Sequence, residues 1–596
     1  MNNLSANATW IDPSAEPIHR YQACKAMARG YAAAKKTDDA RLDHAKAFCA
    51  AIVSSYWAEV CKRHRVNMAS RPMRDSLPVL VVDVQFVADG IGRLIAEFPV
   101  EDAGYLIGSI YTVMLPDAQR SAMGAYYTPP PLVARLLDMA EAAGFDFSFD
   151  TAIDPACGGG AFLVPIALRM LDRARPAEPG WIVRQLGVRL RGIEIDPFAA
   201  WMAQVLVEAA LMPLCIAAGR RLPEIVTVDN ALRPCEQPKK FGLVIGNPPY
   251  GRLSLDEPMR KYYARSLFGH ANLYGLFTDL ALRMVKPGGV VAYLTPTSFL
   301  GGQYFKALRQ LLTKEATPIG FDFVSDRDDV FDDVLQETML TTYVREVRHT
   351  PAEISSLVPQ GLNAARVESL GTMCVGRGGE PWLLPRTSMD AAILRAIDHM
   401  PTRLSDLGYS VSTGPLVWNR HREQLRTQID RTTLPLIWAE SVTSENFAFK
   451  AERRNHVPFF APEESQPHLV TKASCVLVQR TTSKEQGRRL VAAVLPQDFL
   501  DQYGGAIVEN HLNMVYPRTP SDAQISVAAI SALLNTEVVD RVFRCISGSV
   551  AVSAYEMNAL PLPSVEQLLS LEKLLTLGSN KKPAVERLVS SFYGMV

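Results

Sequence analysis

The tetrapeptide Asn247-Pro248-Pro249-Tyr250 closes the apolar run FGLVIG on an amide, two prolines and an aromatic ring, which is either a plain loop or a set of placed groups suited to a planar amine. An exocyclic amine on a heterocycle is a weak nucleophile, because its lone pair is delocalised into the ring. If its two N–H groups donate to placed acceptors, the nitrogen can pyramidalise and aim that lone pair at an electrophilic methyl group. The Asn247 side-chain oxygen and the Pro248 carbonyl are two such acceptors, and proline adds rigidity. The Tyr250 ring offers a face for a flat base taken out of its stack. Positioning and fixed dipoles then supply most of the catalysis, and the scheme requires no metal and no strong general base.

These groups need a strand to hold them. FGLVI reads as a buried parallel strand, and the prolines after it have no N–H to extend a ladder, so the strand stops at Asn247. In open α/β sheets, ligands bind just beyond the C-terminal ends of the strands. Three earlier strings fit the same plan. In DPACGGGAFL (154–163), Asp154 follows the strand-like TAI, and the glycines Gly158 to Gly160 open a helix, letting a ligand approach backbone N–H groups. In GIEIDP (192–197), Glu194 ends the next apolar run, where a carboxylate can accept hydrogen bonds from two ribose hydroxyls. EIVTVDNAL ends its run at Asp229, placed to accept from an adenine amino group. No GxGxxG and no GK[ST] is present, so a nucleoside without a pyrophosphate fits best, and S-adenosylmethionine is the natural candidate. Singly, Glu194 reads as a solvated carboxylate and Asp229-Asn230 as a turn; the four strings in order carry the inference.

The surrounding elements alternate strand and helix signals from 121 to 345, which predicts an α/β fold with a doubly wound, mostly parallel sheet. Residues 1–120 read as a helical N-terminal region, with Phe48, Ile52, Tyr56 and Val60, plus Val53 and Trp57, at helical spacing. Residues 346–394, containing VGRGGEPWLLPRTS, read as a linker, 395–563 as a second α+β domain, and 564–596 as a terminal helix. The 596 residues allow several domains. Lys plus Arg and Asp plus Glu are 62 each, so a nucleic-acid partner has to be met by a local basic surface. Nine cysteines without CxxC or Cys/His spacing argue for a reduced compartment and against structural zinc. With no signal-peptide pattern and no long apolar run, a cytoplasmic protein without a membrane partner is expected.

Together with GAYYTPPPLVARLLDMA (124–140), these strings resemble the amino-methylating DNA methyltransferases of type II restriction–modification systems in their gamma arrangement: cofactor motif first, NPPY second, recognition region last. The resemblance covers 121–345 closely and 395–563 more loosely. It implies a class I S-adenosylmethionine-dependent methyltransferase, with Tyr127, Thr128 and Pro129 against the methionine part of the cofactor. It further implies cofactor contacts from Asp154, Ala156, Gly158, Gly160 and Asn247, with Glu194 at the ribose, Ile195 beside the adenine and Asp229 at its amino group. Gly159 stands where the family usually has Ser. Asn247 implies adenine N6 as the target, and Phe331 implies a second stacking face opposite Tyr250, although a core role for that ring stays open. In the downstream region, Arg420, Arg422, Arg480, Lys484, Arg488 and Arg489 are candidate contacts to double-stranded DNA. From 402 to 490 there are 13 Lys or Arg against 9 Asp or Glu. The implied partner is a separate cognate endonuclease. The competing readings are a bifunctional restriction–methylation chain, an NPPY enzyme acting on RNA or protein glutamine, and a non-catalytic relic.

Overall fold

The computed structural model describes residues 16–595 except 74–75, 118, 121–127, 175, 326–336, 363, 377, 398, 482–486, 520, 547–550 and 578–580. Tyr127, Phe331 and Lys484 lie outside the described residues. The chain divides into two compact units, Met1–Pro296 with Gln310–Glu368, and Thr297–Arg309 with Ser369–Val596.

The first unit begins with helices α1 (Pro17–Ala33), α2 (Asp38–Arg63), α3 (Val82–Ile95) and α4 (Ala103–Met114). The start of α2 is capped by the Thr37 hydroxyl, which accepts the Ala40 N–H at 3.2 Å; Asp38 and Asp39 in its first turn and Lys62 and Arg63 in its last complement the helix dipole. Its apolar stripe is buried, with Phe48, Ile52, Val53, Tyr56, Trp57 and Val60 all at most 4% exposed. The four helices have no separate core. Their buried side chains join those of the sheet in one cluster running from Tyr21 to Leu357. Residue 120 is therefore not a packing boundary.

The sheet has nine strands: β1 (Ala152–Asp154), β2 (Leu190–Glu194), β3 (Val226–Val228), β4 (Phe241–Gly246), β5 (Val285–Pro296), β6 (Thr317–Val324), β7 (Thr338–Val344), β8 (Ala352–Gln360) and β9 (Ala364–Met373). Their order across the sheet is β3-β2-β1-β4-β5-β7-β6-β8-β9. Neighbours from β3 to β5 are parallel, and β7 runs antiparallel to both β5 and β6. Every residue of β4 is buried, as expected of a central strand covered on both faces. Helices α5 (Pro130–Ala142), α6 (Leu163–Asp172), α7 (Pro197–Ala210) and α8 (Leu273–Met284) lie between or beside these strands in the chain, and α5 and α7 each open on proline. Arg135 of α5 reaches the buried Asp322 of β6 at 2.6 Å, tying helix to sheet. The stretch 346–394 is not a linker: β8 pairs in parallel with β6, β9 lies beyond it, and Ser388–Ile397 is a helix. The apolar residues of AEISSLV, at 352, 354, 357 and 358, do not alternate cleanly, so the strand carries little signal in the sequence beside the nearby Gly and Pro.

The second unit contains an antiparallel sheet of four strands, β10 (Tyr409–Thr413), β11 (Cys475–Gln479), β12 (Ala492–Leu495) and β13 (Leu512–Pro517), in the order β10-β13-β11-β12. A second sheet consists of five short strands. Residues 527–546 form two helices, α9 (Val527–Leu534) and α10 (Glu537–Ile546). The break frees Asn535, whose amide pairs with both backbone groups of Ala492 on β12, at 3.1 and 2.7 Å. The last segment is likewise two helices, α11 (Val565–Thr576) and α12 (Lys581–Phe592). Among the described residues, no helix is long and apolar enough to cross a membrane.

One ion cluster joins the N-terminal segment to the sheet's helices. Glu208 of α7, fully buried, receives Arg71 at 2.8 Å and Arg221 at 2.6 Å. Replacing it with alanine leaves two partly buried guanidinium groups without their carboxylate. Glu208→Ala is expected to lower unfolding stability by about 3 kcal/mol, read from urea denaturation.

Candidate active site

The strand order dictates where a ligand can sit. The chain leaves β1 toward β2 and leaves β4 toward β5, in opposite directions across the sheet, which opens a crevice beyond the ends of β1 and β4. A cavity of about 270 Å³ lies there. Asp154, Ala156 and Gly158 reach it from the end of β1, Glu194 and Ile195 from β2, Asp229 from beyond β3, and Asn247 from the end of β4; Thr128 joins them from the start of α5.

The two carboxylates at the centre are held by backbone donors. Glu194 accepts the Gly158 N–H at 2.8 Å on one oxygen and the Asp196 N–H at 2.9 Å on the other. Gly158 turns its N–H toward this carboxylate with a φ of +51°, a conformation that glycine adopts without penalty. Asp154 accepts the Ala156 N–H at 3.0 Å. Burial raises the affinity of Glu194 for its proton, and the donors from Asp196 and Gly158 pull the other way. Burial, with the Glu194 charge nearby and only the Ala156 N–H opposing, pushes Asp154 up to about 8. Asp154 also packs against β4: a side-chain carbon on Gly246 would come within 2.6 Å of its Oδ1. The glycine before Asn247 is thus required by the carboxyl at the end of the neighbouring strand.

At the cavity's outer side, Ile195 is 61% exposed, an apolar surface suited to the face of a flat ligand. Asp229 is half-exposed; it accepts the Asn230 N–H at 2.8 Å and pairs with Arg233 at 3.3 Å. The Asn247 side-chain oxygen accepts the Tyr250 phenol at 2.8 Å, and the Tyr250 ring meets Tyr274 edge-on at 6.0 Å. Burial pushes the Tyr250 phenol up, so it remains a proton donor.

Several predicted residues stand elsewhere. Pro129 precedes α5 and does not line the cavity; Pro248 and Tyr250 are not in its lining either, but they stand directly beside Asn247 and Pro249, which are. Gly160, also away from the lining, has a φ of +88°, and a Cβ there would lie 3.2 Å from Ala203, so its role is the close approach of α6 to α7. Phe321 and Phe323 are buried on β6. In the second unit, Arg420 and Arg422 are exposed on short turns, with Arg422 over the Trp418 ring at 5.6 Å. Arg480 instead donates to the Asn510 carbonyl at 3.1 Å, and Arg488 donates to that of Asn535. Arg489 is half-buried, its backbone N–H bonded to Asp540 at 2.7 Å. Sequence reasoning missed the apolar wall made by Phe162, Leu273 and Phe277, and missed Tyr111 of α4. The wall could have been found from its place at the starts of α6 and α8. Tyr111 carries no local signal, being one apolar-face residue among many in α4.

Seven strands in the order 3-2-1-4-5-7-6, the seventh antiparallel, with an acidic residue ending each of the first two, define the class I S-adenosylmethionine-dependent methyltransferase fold. The comparisons with known proteins are more particular. The family model described as Eco57I restriction-modification methylase matches residues 218–331. The type II methyltransferase M.BsuBI of Bacillus subtilis is 26% identical over 340 residues, 56% of this chain and 68% of the relative. M.PstI of Providencia stuartii is 26% identical over 364 residues, 59% and 70% of the two chains. Among solved structures, the type IIL restriction-modification enzyme MmeI in complex with DNA aligns with a TM-score of 0.49 at 13% identity, over 100% of this chain and 95% of that one. The chain resembles the methylases of type II restriction–modification systems.

The raised Asp154 sets a pH dependence. Its proton affinity is higher folded than unfolded, so between the ordinary value of 3.8 and about 8 the native state holds the extra proton, and stability falls as pH rises through that window. Asp154→Asn is expected to flatten this decline in the ligand-free protein, measured as the unfolding midpoint from pH 4 to 9.

Proposed function

We propose that the protein is a site-specific DNA methyltransferase that transfers a methyl group from S-adenosylmethionine to N6 of an adenine flipped out of duplex DNA. In this reading it acts in the cytoplasm, and a separate endonuclease cuts the same site when it is unmethylated. The observation that carries the reading is that the Asn247 amide and the Glu194 carboxylate open into one cavity at the strand-order reversal. The resemblance to type II methyltransferases supports DNA as the substrate.

The residues present fit the cofactor. Glu194 would hold the ribose hydroxyls, Ile195 and Asp229 the adenine, and Asp154 and Thr128 the methionine end, while the glycine turn keeps side chains out of the way. Bound there, S-adenosylmethionine supplies a sulfonium methyl, an electrophile with a neutral thioether as its leaving group. Asn247 Oδ1 and the Pro248 carbonyl accept the two N–H groups of the target amine and orient its lone pair, and once the nitrogen carries the methyl group one of those protons leaves to water. Tyr250 stacks on the base, and its phenol yields Asn247 Oδ1 to the amine when the base arrives. The first unit is the catalytic part, and the second, carrying the exposed Arg420 and Arg422, meets the DNA.

Purified protein incubated with radiolabelled cofactor and unmethylated plasmid is expected to label the DNA, and single-molecule sequencing to find N6-methyladenine in one sequence context. Label on RNA or protein instead would replace the reading with that of an RNA or glutamine methylase, and plasmid cleavage with Mg²⁺ by pure protein would make it bifunctional. Asn247→Ala is expected to lower methyl transfer by about 100- to 1,000-fold while cofactor binding is kept. Glu194→Ala is expected to weaken cofactor binding by about 10- to 100-fold, the loss of charge-assisted hydrogen bonds, in a calorimetric titration.

A further inference from the structure

One group on the cavity wall comes from the N-terminal helices. Tyr111 of α4, only 1% exposed, donates its phenol proton to Asp196 Oδ2 at 3.0 Å, and its ring lies 5.1 Å from that of Phe198. The other carboxylate oxygen, Asp196 Oδ1, caps α7 by accepting the Phe198 N–H at 3.0 Å, and Lys46 Nζ of α2 stands 3.8 Å from it. The backbone N–H of the same Asp196 donates to Glu194 Oε1 at 2.9 Å. A buried aspartate two residues from a second, partly buried carboxylate is repelled unless its charge is met, and here α2 and α4 meet it.

We infer that Tyr111 is a positioning residue for ribose recognition, supported by Lys46, and that the N-terminal helices are a working part of the cofactor site. This rests on reading the cavity as a site for S-adenosylmethionine. The phenol and the ammonium hold Asp196, Asp196 holds the turn from Glu194 to Pro197, and the turn aims the Glu194 carboxylate. Loss of the phenol proton donor loosens that aim without opening a hole, because phenylalanine keeps the ring. The effect therefore falls on the part of the ligand that Glu194 reads, the ribose hydroxyls, and spares the rest.

The test uses the full chain, Tyr111→Phe and Lys46→Met, with S-adenosylhomocysteine and its 2′-deoxyribose analogue as calorimetric probes. The wild type is expected to prefer the ribose compound. Tyr111→Phe is expected to bind it about tenfold more weakly, with less than about a twofold change for the deoxy analogue, and Lys46→Met to show the same pattern at about threefold. The unfolding midpoint of the ligand-free Tyr111→Phe protein is expected to move by no more than a few degrees. Equal weakening for both probes would mean general loosening and overturn the inference, as would no weakening for either. If Tyr111→Phe fails to fold, the Lys46→Met pair of affinities decides alone, by the same pattern. A wild type that binds neither probe overturns the cofactor reading itself, a result distinct from a wild type that binds and a variant that matches it.

Discussion

The Glu194 carboxylate is where the architecture of the first unit converges. One oxygen takes the Gly158 N–H from the turn after β1, and the other takes the Asp196 N–H from the turn after β2. The first of these bonds exists only because β1 and β2 lie side by side, parallel, with Asp154 opposite Gly192. A slip of one residue would turn every side chain of β2 to the other face of the sheet and take the carboxylate away from the glycine turn. Desolvation works against a charge in that position, and the backbone donors are what offset it. The glycine at 158, the aspartate cap on α7 and the register of two strands are therefore parts of one requirement.

Across the reversal point, β4 meets the same requirement from the other side. Its last residue is glycine because the Asp154 carboxyl occupies the space a side chain would take. That contact brings Asn247 to the edge of the cavity, where the prolines that follow end the strand. The Tyr250 phenol donates to the Asn247 side-chain oxygen. That bond helps to aim the amide. The Tyr274 ring, edge-on to Tyr250, links this turn to α8, whose Asp279 is itself buried under Arg265 and Arg283.

Much of this was legible in the chain. Apolar runs ending in Asp154, Glu194 and Asn247 became β1, β2 and β4, and the helical spacing around Phe48 and Trp57 became the buried stripe of α2. The misreadings have common causes. Residues 352–373 were obscured by the Gly and Pro that follow them, although their strands pair by backbone groups that composition does not report. Residues 564–596 read as one terminal helix, and they form two. Arginines look alike in a sequence, and only the structure separates Arg480 and Arg488, each donating to a carbonyl of its own unit, from Arg420 and Arg422, which face solvent.

By itself, then, the sequence determined the local pieces: where strands stop, which turns need glycine, and which amide and carboxylates stand at strand ends. These follow from rules that act within a few residues, namely side-chain periodicity, the missing N–H of proline and the conformational freedom of glycine. Only the tertiary structure decided which pieces meet. Tyr111 reaches Asp196 across 85 residues, and Arg71 reaches Glu208 across 137. Such pairings depend on which apolar faces pack together when one core forms from helices and sheet alike, and no local pattern records the partner.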